Sequence, residues 1–112
     1  MGRVKRVLVI ALLVLASCAK GASSGTVQID GNDKLRFVPD RLTLTAGKHH
    51  FAFRNVGQLN HELRVVGVYT TGTIAGGSSG SFDATVAKGT YQFVCRIDNH
   101  DRSGMVGTIV VR

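Results

Sequence analysis

The stretch Gly89-Thr90-Tyr91-Gln92-Phe93-Val94-Cys95-Arg96-Ile97-Asp98-Asn99-His100-Asp101-Arg102-Ser103-Gly104-Met105-Val106-Gly107-Thr108 decides how this chain of 112 residues is read. Tyr91, Phe93 and Cys95 fall on one side of a two-residue alternation, the pattern of a half-buried strand. With the aromatic side taken as the core, Cys95 lies at the inner end of that strand. Met105 opens the next alternation and shares its face with Gly107, Ile109 and Val111. The spacing Cys-x4-His-x4-Met spans the loop between them, and a strand-end loop of this size can turn Cys95, His100 and Met105 toward one point. His61, on the same face as Leu63 and Val65, supplies a fourth side chain from a different loop.

Outward from this stretch, residues 26–112 read as short strands divided by turn residues, and no window carries a 3.6-residue apolar stripe. The expected strands are Thr26–Asp30, Lys34–Val38, Arg41–Thr45, Lys48–Arg54, Glu62–Tyr69, Ser81–Val86, Thr90–Cys95 and Val106–Val111. Gly31-Asn32-Asp33, Pro39-Asp40, Ala46-Gly47, Asn55-Val56-Gly57, Gly72 to Gly80 and Ala87-Lys88-Gly89 have the chemistry of the turns between them. Strands this short and this regularly spaced predict an all-β sandwich or small barrel.

Residues 1–17 stand apart and are expected to be a signal peptide. Arg3, Lys5 and Arg6 precede an apolar run, Val7 to Ala16, whose ten residues fall short of the ~20 that a membrane-spanning helix needs. The run ends in Leu15-Ala16-Ser17-Cys18, which resembles a bacterial lipobox and makes Cys18 the expected lipid attachment point. Residues 18–25 are small, polar and aperiodic, as in a flexible tether. An exported lipoprotein anchored in the periplasm or on the outer cell surface is therefore expected. Beyond the leader eleven basic residues face seven acidic ones, dispersed and with few aromatics among them, so a nucleic-acid surface is not expected.

With Cys18 assigned to lipid, Cys95 has no intramolecular disulfide partner, and Met105 is the only methionine after the leader. A free thiol in an oxidising compartment is a liability, and metal ligation is a physical reason to keep one. A thiolate, two imidazoles and a thioether form a soft, mixed donor set. It suits copper better than magnesium, calcium or manganese, while zinc rarely takes a methionine.

Residues 35–112 resemble the cupredoxins, the plastocyanin and azurin family of blue copper proteins. The resemblance is carried by Phe37-Val38-Pro39, Ala46-Gly47, Asn55-Val56-Gly57, Asn60-His61-Glu62, Gly89 to Cys95, His100 and Gly104-Met105-Val106-Gly107-Thr108. It implies a Greek-key β-sandwich over residues 26–112 and one copper ion, held by His61, Cys95 and His100 in an approximate plane and by Met105 axially. It also implies a hydrogen-bonding role near the site for Asn60 and Glu62, and His100 as the electron port beside an apolar patch of Leu59, Ile97 and Val106. Two positions depart from the family. Many relatives have Asn after the first ligand His, where this chain has Glu62, and Pro-Gly before the second, where it has Asp98-Asn99. Glu62 is expected to pair with Arg64 or Arg96 at the surface; His49 should lean toward the core and His50 toward solvent, both away from the metal.

The expected function is that of a monomeric, lipid-tethered one-electron carrier between exported or membrane-bound redox proteins, not an enzyme, since protein fills all four ligand positions. A copper-handling protein for storage, delivery or tolerance could use the same site. A metal-free adhesion or assembly sandwich is the alternative from a third class.

Overall fold

Inward-facing Val27 and Ile29 of the first strand lie beside inward-facing Phe51 and Phe53 of the fourth, and this pairing sets one wall of the core. The computed structural model describes residues 25–112; the expected signal peptide, Cys18 and the tether up to residue 24 lie outside them. The strands are β1 Thr26–Asn32, β2 Arg36–Val38, β3 Arg41–Leu44, β4 Gly47–Asn55, β5 Arg64–Val65, β6 Tyr69–Thr70, β7 Ser79–Val86, β8 Gly89–Val94 and β9 Val106–Val111. They form a four-stranded sheet in the order β2-β1-β4-β7 and a five-stranded sheet in the order β3-β9-β8-β5-β6. Parallel pairings of β1 with β4 and of β3 with β9 join otherwise antiparallel sheets. The result is the all-β, two-sheet sandwich expected from the sequence.

Alternation does the sorting. In β4, His49, Phe51, Phe53 and Asn55 are buried while Lys48, His50 and Arg54 face solvent. Opposite them, Leu63, Val65, Phe93, Ile109 and Val111 close the second wall. Phe37 bridges toward Phe93 and Phe53 with ring centroids 5.0 and 6.2 Å apart, in tilted and edge-on geometries that favour aromatic pairs.

One expected strand is corrected. Glu62–Tyr69 is not continuous: β5 and β6 are separated by the turn Val65-Val66-Gly67-Val68, closed by a 2.9 Å bond from the Val68 N–H to the Val65 carbonyl. Gly67 sits at φ +80°, which a side chain would resist, so the chain turns where the apolar run reads as strand. Just before β5 the alternation also fails, because His61, Glu62 and Leu63 are all buried.

Three connections meet at one end of the sandwich. The segment entering β5 carries His61, the residue after β8 is Cys95, and Met105 immediately precedes β9. A 3-10 segment, Ile97–Ser103, links the last two.

Candidate metal centre

β8 runs inward through Phe93 and delivers Cys95 to the end of the core, fully buried. The Cys95 N–H donates to the Met105 carbonyl at 3.2 Å, and the Met105 N–H donates to the His100 carbonyl at 3.1 Å. These bonds lash the two ends of the loop together. Within the loop Asp98 (φ 48°, ψ 33°) and Asn99 (φ 59°, ψ 30°) adopt the left-handed conformation. Asp and Asn are the non-glycine residues that best tolerate it, so the pair standing where relatives have Pro-Gly still reverses the chain. The Asn99 N–H closes that reversal on the Arg96 carbonyl at 3.3 Å.

The reversal brings the His100 Nδ1 to 3.6 Å from the Cys95 Sγ. On the other loop, Asn55 donates from its amide to the carbonyls of Leu59 (2.8 Å) and Ile74 (2.9 Å), while His61 and Ile74 exchange backbone hydrogen bonds of 3.1 and 2.7 Å. His61 is thereby fixed with its ring centroid 5.0 Å from that of His100. One ligand atom each from His61, Cys95 and His100 lies within 4.8 Å of the others, and all three residues are buried. Met105, fully buried, sits at the head of β9 beside them.

The protonation pattern of this cluster fits a metal. The His61 Nε2 lies 3.0 Å from the Asp33 Oδ1, so it carries the proton and donates it, which leaves Nδ1 with a free lone pair. That Nδ1 is buried and has no hydrogen-bond partner among the described residues. A buried unsatisfied acceptor costs about 1–3 kcal/mol, and a cation at the centre of the cluster would remove the penalty. Burial pushes the Cys95 thiol up, against the backbone N–H groups of Glu62 and Ile97 that favour the thiolate; a coordinated cation would reverse that balance. Two imidazoles, one thiol and a thioether, shut away from water, fit a single type 1 copper ion.

Residues 5–111 match the Cupredoxin-like domain family. The chain belongs to that family. A copper-resistant cuproprotein, CopI, from Rubrivivax gelatinosus is 30% identical over 78% of this chain, and the match spans 66% of that protein, just under two thirds of its length. Among solved structures, the dithionite-reduced auracyanin of Roseiflexus castenholzii superposes with a TM-score of 0.73 at 18% identity, covering 83% of this chain and 99% of that one. Auracyanin B gives 0.72 at 21% identity, covering 84% and 93%. Auracyanin A, a blue copper protein from Chloroflexus aurantiacus, gives 0.71 at 19%, covering 80% and 99%. These likenesses establish the fold.

In this cupredoxin Glu62 is not the surface partner expected. It pairs with Arg64 as read from the sequence (Nη2 to Oε1, 3.2 Å), but the residue is only 3% exposed, its carboxylate covered by its partners. It accepts from the Thr70 hydroxyl at 2.7 Å and from the Arg96 N–H at 3.1 Å, and its own N–H donates to the Cys95 Sγ at 3.4 Å. One residue thus ties the His61 segment to the Cys95 loop twice, once through side chain and once through backbone.

Asn60, expected near the site, is exposed, and its side chain makes no hydrogen bond among the described residues. The place beside the first imidazole is taken instead by Asp33, from the expected turn Gly31-Asn32-Asp33. Nothing in the spacing, 28 residues before His61, signals that contact. Of the expected apolar patch, Leu59 is 48% exposed and Ile97 is half-buried against the core. Val106 is half-buried on the outward face of the second sheet, in a groove with Asp40, Arg41 and Gln92, so it belongs to a different surface. His49 is buried and donates to the Thr45 carbonyl at 2.7 Å; His50 is exposed and paired with Asp83. Neither joins the cluster.

Proposed function

We propose that this cupredoxin binds one copper ion through His61 Nδ1, Cys95 Sγ, His100 Nδ1 and Met105, and carries single electrons between exported or membrane-bound redox proteins. Two observations support it most: the buried His61 Nδ1 is left without a partner among the described residues, and one donor atom each from His61, Cys95 and His100 lies within 4.8 Å of the others. When bound, copper supplies the one-electron change between Cu(I) and Cu(II).

The chain's part is to hold its donors still. Hydrogen bonds among Cys95, Met105 and His100, and the Glu62 tie, fix the donors through contacts that do not involve the metal. A frame built this way cannot relax far toward the geometry that either oxidation state prefers, which keeps rearrangement on transfer small. His61 and Cys95 are closed to solvent, whereas His100 retains 7% exposure, so its outer edge is the route for the electron. Leu59 offers an exposed apolar contact near the first ligand loop. The leader and Cys18 support export and a lipid tether for the same protein.

The name of the copper-resistant relative favours a second reading, in which the same site stores or passes on Cu(I). Electronic absorption and paramagnetic resonance of the copper-loaded full chain test the site. An intense blue thiolate band with narrow copper hyperfine splitting, lost in Cys95→Ser, is expected; no visible band in the wild type refutes it. Reversible cycling against a redox partner then supports the carrier, and rapid loss of Cu(I) to an acceptor supports handling.

A further inference from the structure

We propose that Asp33 is a positioning residue for the metal: its carboxylate fixes the tautomer and orientation of His61 and biases the bound ion toward Cu(II). The inference rests on the copper reading above. Its geometry is independent of that reading.

The Asp33 Oδ1 lies 3.0 Å from the His61 Nε2 and also accepts the Leu59 N–H at 3.2 Å, while Oδ2 accepts the Gln58 N–H at 2.7 Å. One carboxylate therefore holds both the ring and the backbone that leads to it. Space for that carboxylate comes from Gly57, where a Cβ would coincide with it. The contact is built rather than incidental: a glycine clears the space, two backbone donors orient the carboxylate, and the ring nitrogen completes it.

The chemical consequence follows from charge. A carboxylate accepting the Nε2 proton loads electron density onto the imidazole and makes Nδ1 a more basic donor. A more basic nitrogen stabilises the dication more than the monocation, and so lowers the reduction potential. Asp33 is 37% exposed, so its field through space is screened, and the hydrogen bond itself must carry the effect.

The test uses the full chain. In the copper-free protein, nitrogen-15 correlation of the histidine rings should show His61 with its proton on Nε2; a proton on Nδ1 overturns the assignment whether or not copper binds. In the copper-loaded protein, Asp33→Asn preserves size and is expected to keep the blue band while lowering Cu(II) affinity relative to Cu(I) by tenfold or more. That ratio corresponds to about 59 mV of upward shift in potential per factor of ten for one electron. Asp101→Asn controls for charge alone, since the Asp101 carboxylate acts on Cys95 only through space. Equal shifts in the two variants, or no shift in Asp33→Asn, refute the positioning role. A wild-type chain that binds no copper refutes the proposed function instead, and the ring tautomer then decides the Asp33 assignment alone.

Discussion

Replacing Glu62 by Ala should destabilise the copper-free domain far more than an acidic residue in an ordinary surface pair would. The wild-type carboxylate accepts from Thr70 at 2.7 Å, from the Arg96 N–H at 3.1 Å and from Arg64 at 3.2 Å. Hydrogen bonds to a charged acceptor contribute about 1.5–3 kcal/mol each, but removing the carboxylate also removes its own desolvation cost, and the two largely offset. Arg64 is 37% exposed and rehydrates when its partner leaves. The Arg96 N–H donates in a part-buried bond, and a donor left unpaired there costs about 1–3 kcal/mol. With the cavity added, Glu62→Ala should cost roughly 2–3 kcal/mol, which for a domain of this size lowers Tm by about 10–20 °C. Glu62→Gln keeps one oxygen for Arg96 and should recover about half. Asp83→Ala, which breaks the exposed pair with His50, should cost about 0–1 kcal/mol. Urea unfolding of the reduced, copper-free chain measures all three at constant m. If Glu62→Ala costs no more than Asp83→Ala, Glu62 does not tie the loops and the account of the site's rigidity fails.

Gly57→Ala should displace the Asp33 carboxylate and raise the reduction potential in the same direction as Asp33→Asn, as read by voltammetry; an unchanged potential would mean the carboxylate has room to spare. Because burial keeps the Cys95 thiol protonated at neutral pH, copper uptake must release that proton, and apparent Cu(I) affinity above pH ~7 should rise about tenfold per pH unit until the thiol ionises. Competition titrations that give a flat profile would contradict this. Leu59→Lys, at a position 48% exposed, should slow electron exchange with a redox partner several-fold while the visible spectrum stays the same, and stopped-flow rates equal to wild type would remove Leu59 from the docking surface.

The strands at the site were legible because their signals are local. Tyr91, Phe93 and Cys95 alternate into the core, Met105 heads an alternation that runs to Val111, and β9 has the bounds read from the sequence. The His61, Cys95 and His100 cluster follows from those alternations plus one loop length. Structure departs from pattern where a contact joins residues with no periodic relation. Glu62 breaks the alternation by being buried, and its charge is accommodated by Arg64, by Thr70 and by the Arg96 N–H from the other loop, contacts that alternation does not signal. Asp33 reaches His61 from the turn after β1, through a gap that a missing Cβ at Gly57 creates. Val106 faces outward from β9, so proximity in sequence to Met105 does not put it on the same surface. The strand Glu62–Tyr69 divides because one backbone angle at Gly67 outweighs an apolar run.

The same burial separates the two functional readings by rate. A carrier benefits from donors closed to water, since nothing needs to move when charge does. A protein that gives up its metal must let an acceptor reach it, and here Cys95 and His61 are fully buried with only the edge of His100 showing. Exit therefore requires the Ile97–Ser103 segment to lift, breaking the Met105 to His100 bond and undoing the left-handed pair Asp98 and Asn99. Local opening of this kind precedes capture, so transfer of Cu(I) to a chelator should become independent of chelator concentration once capture outpaces reclosing. Asp98→Gly or Asn99→Gly, which relieves the left-handed penalty in the closed form but frees the segment when open, should change that plateau without changing the blue band. A transfer rate that climbs linearly with chelator to the highest concentrations would mean the acceptor attacks the metal directly. The closed site would then release copper without opening, and the handling reading would gain at the expense of the carrier.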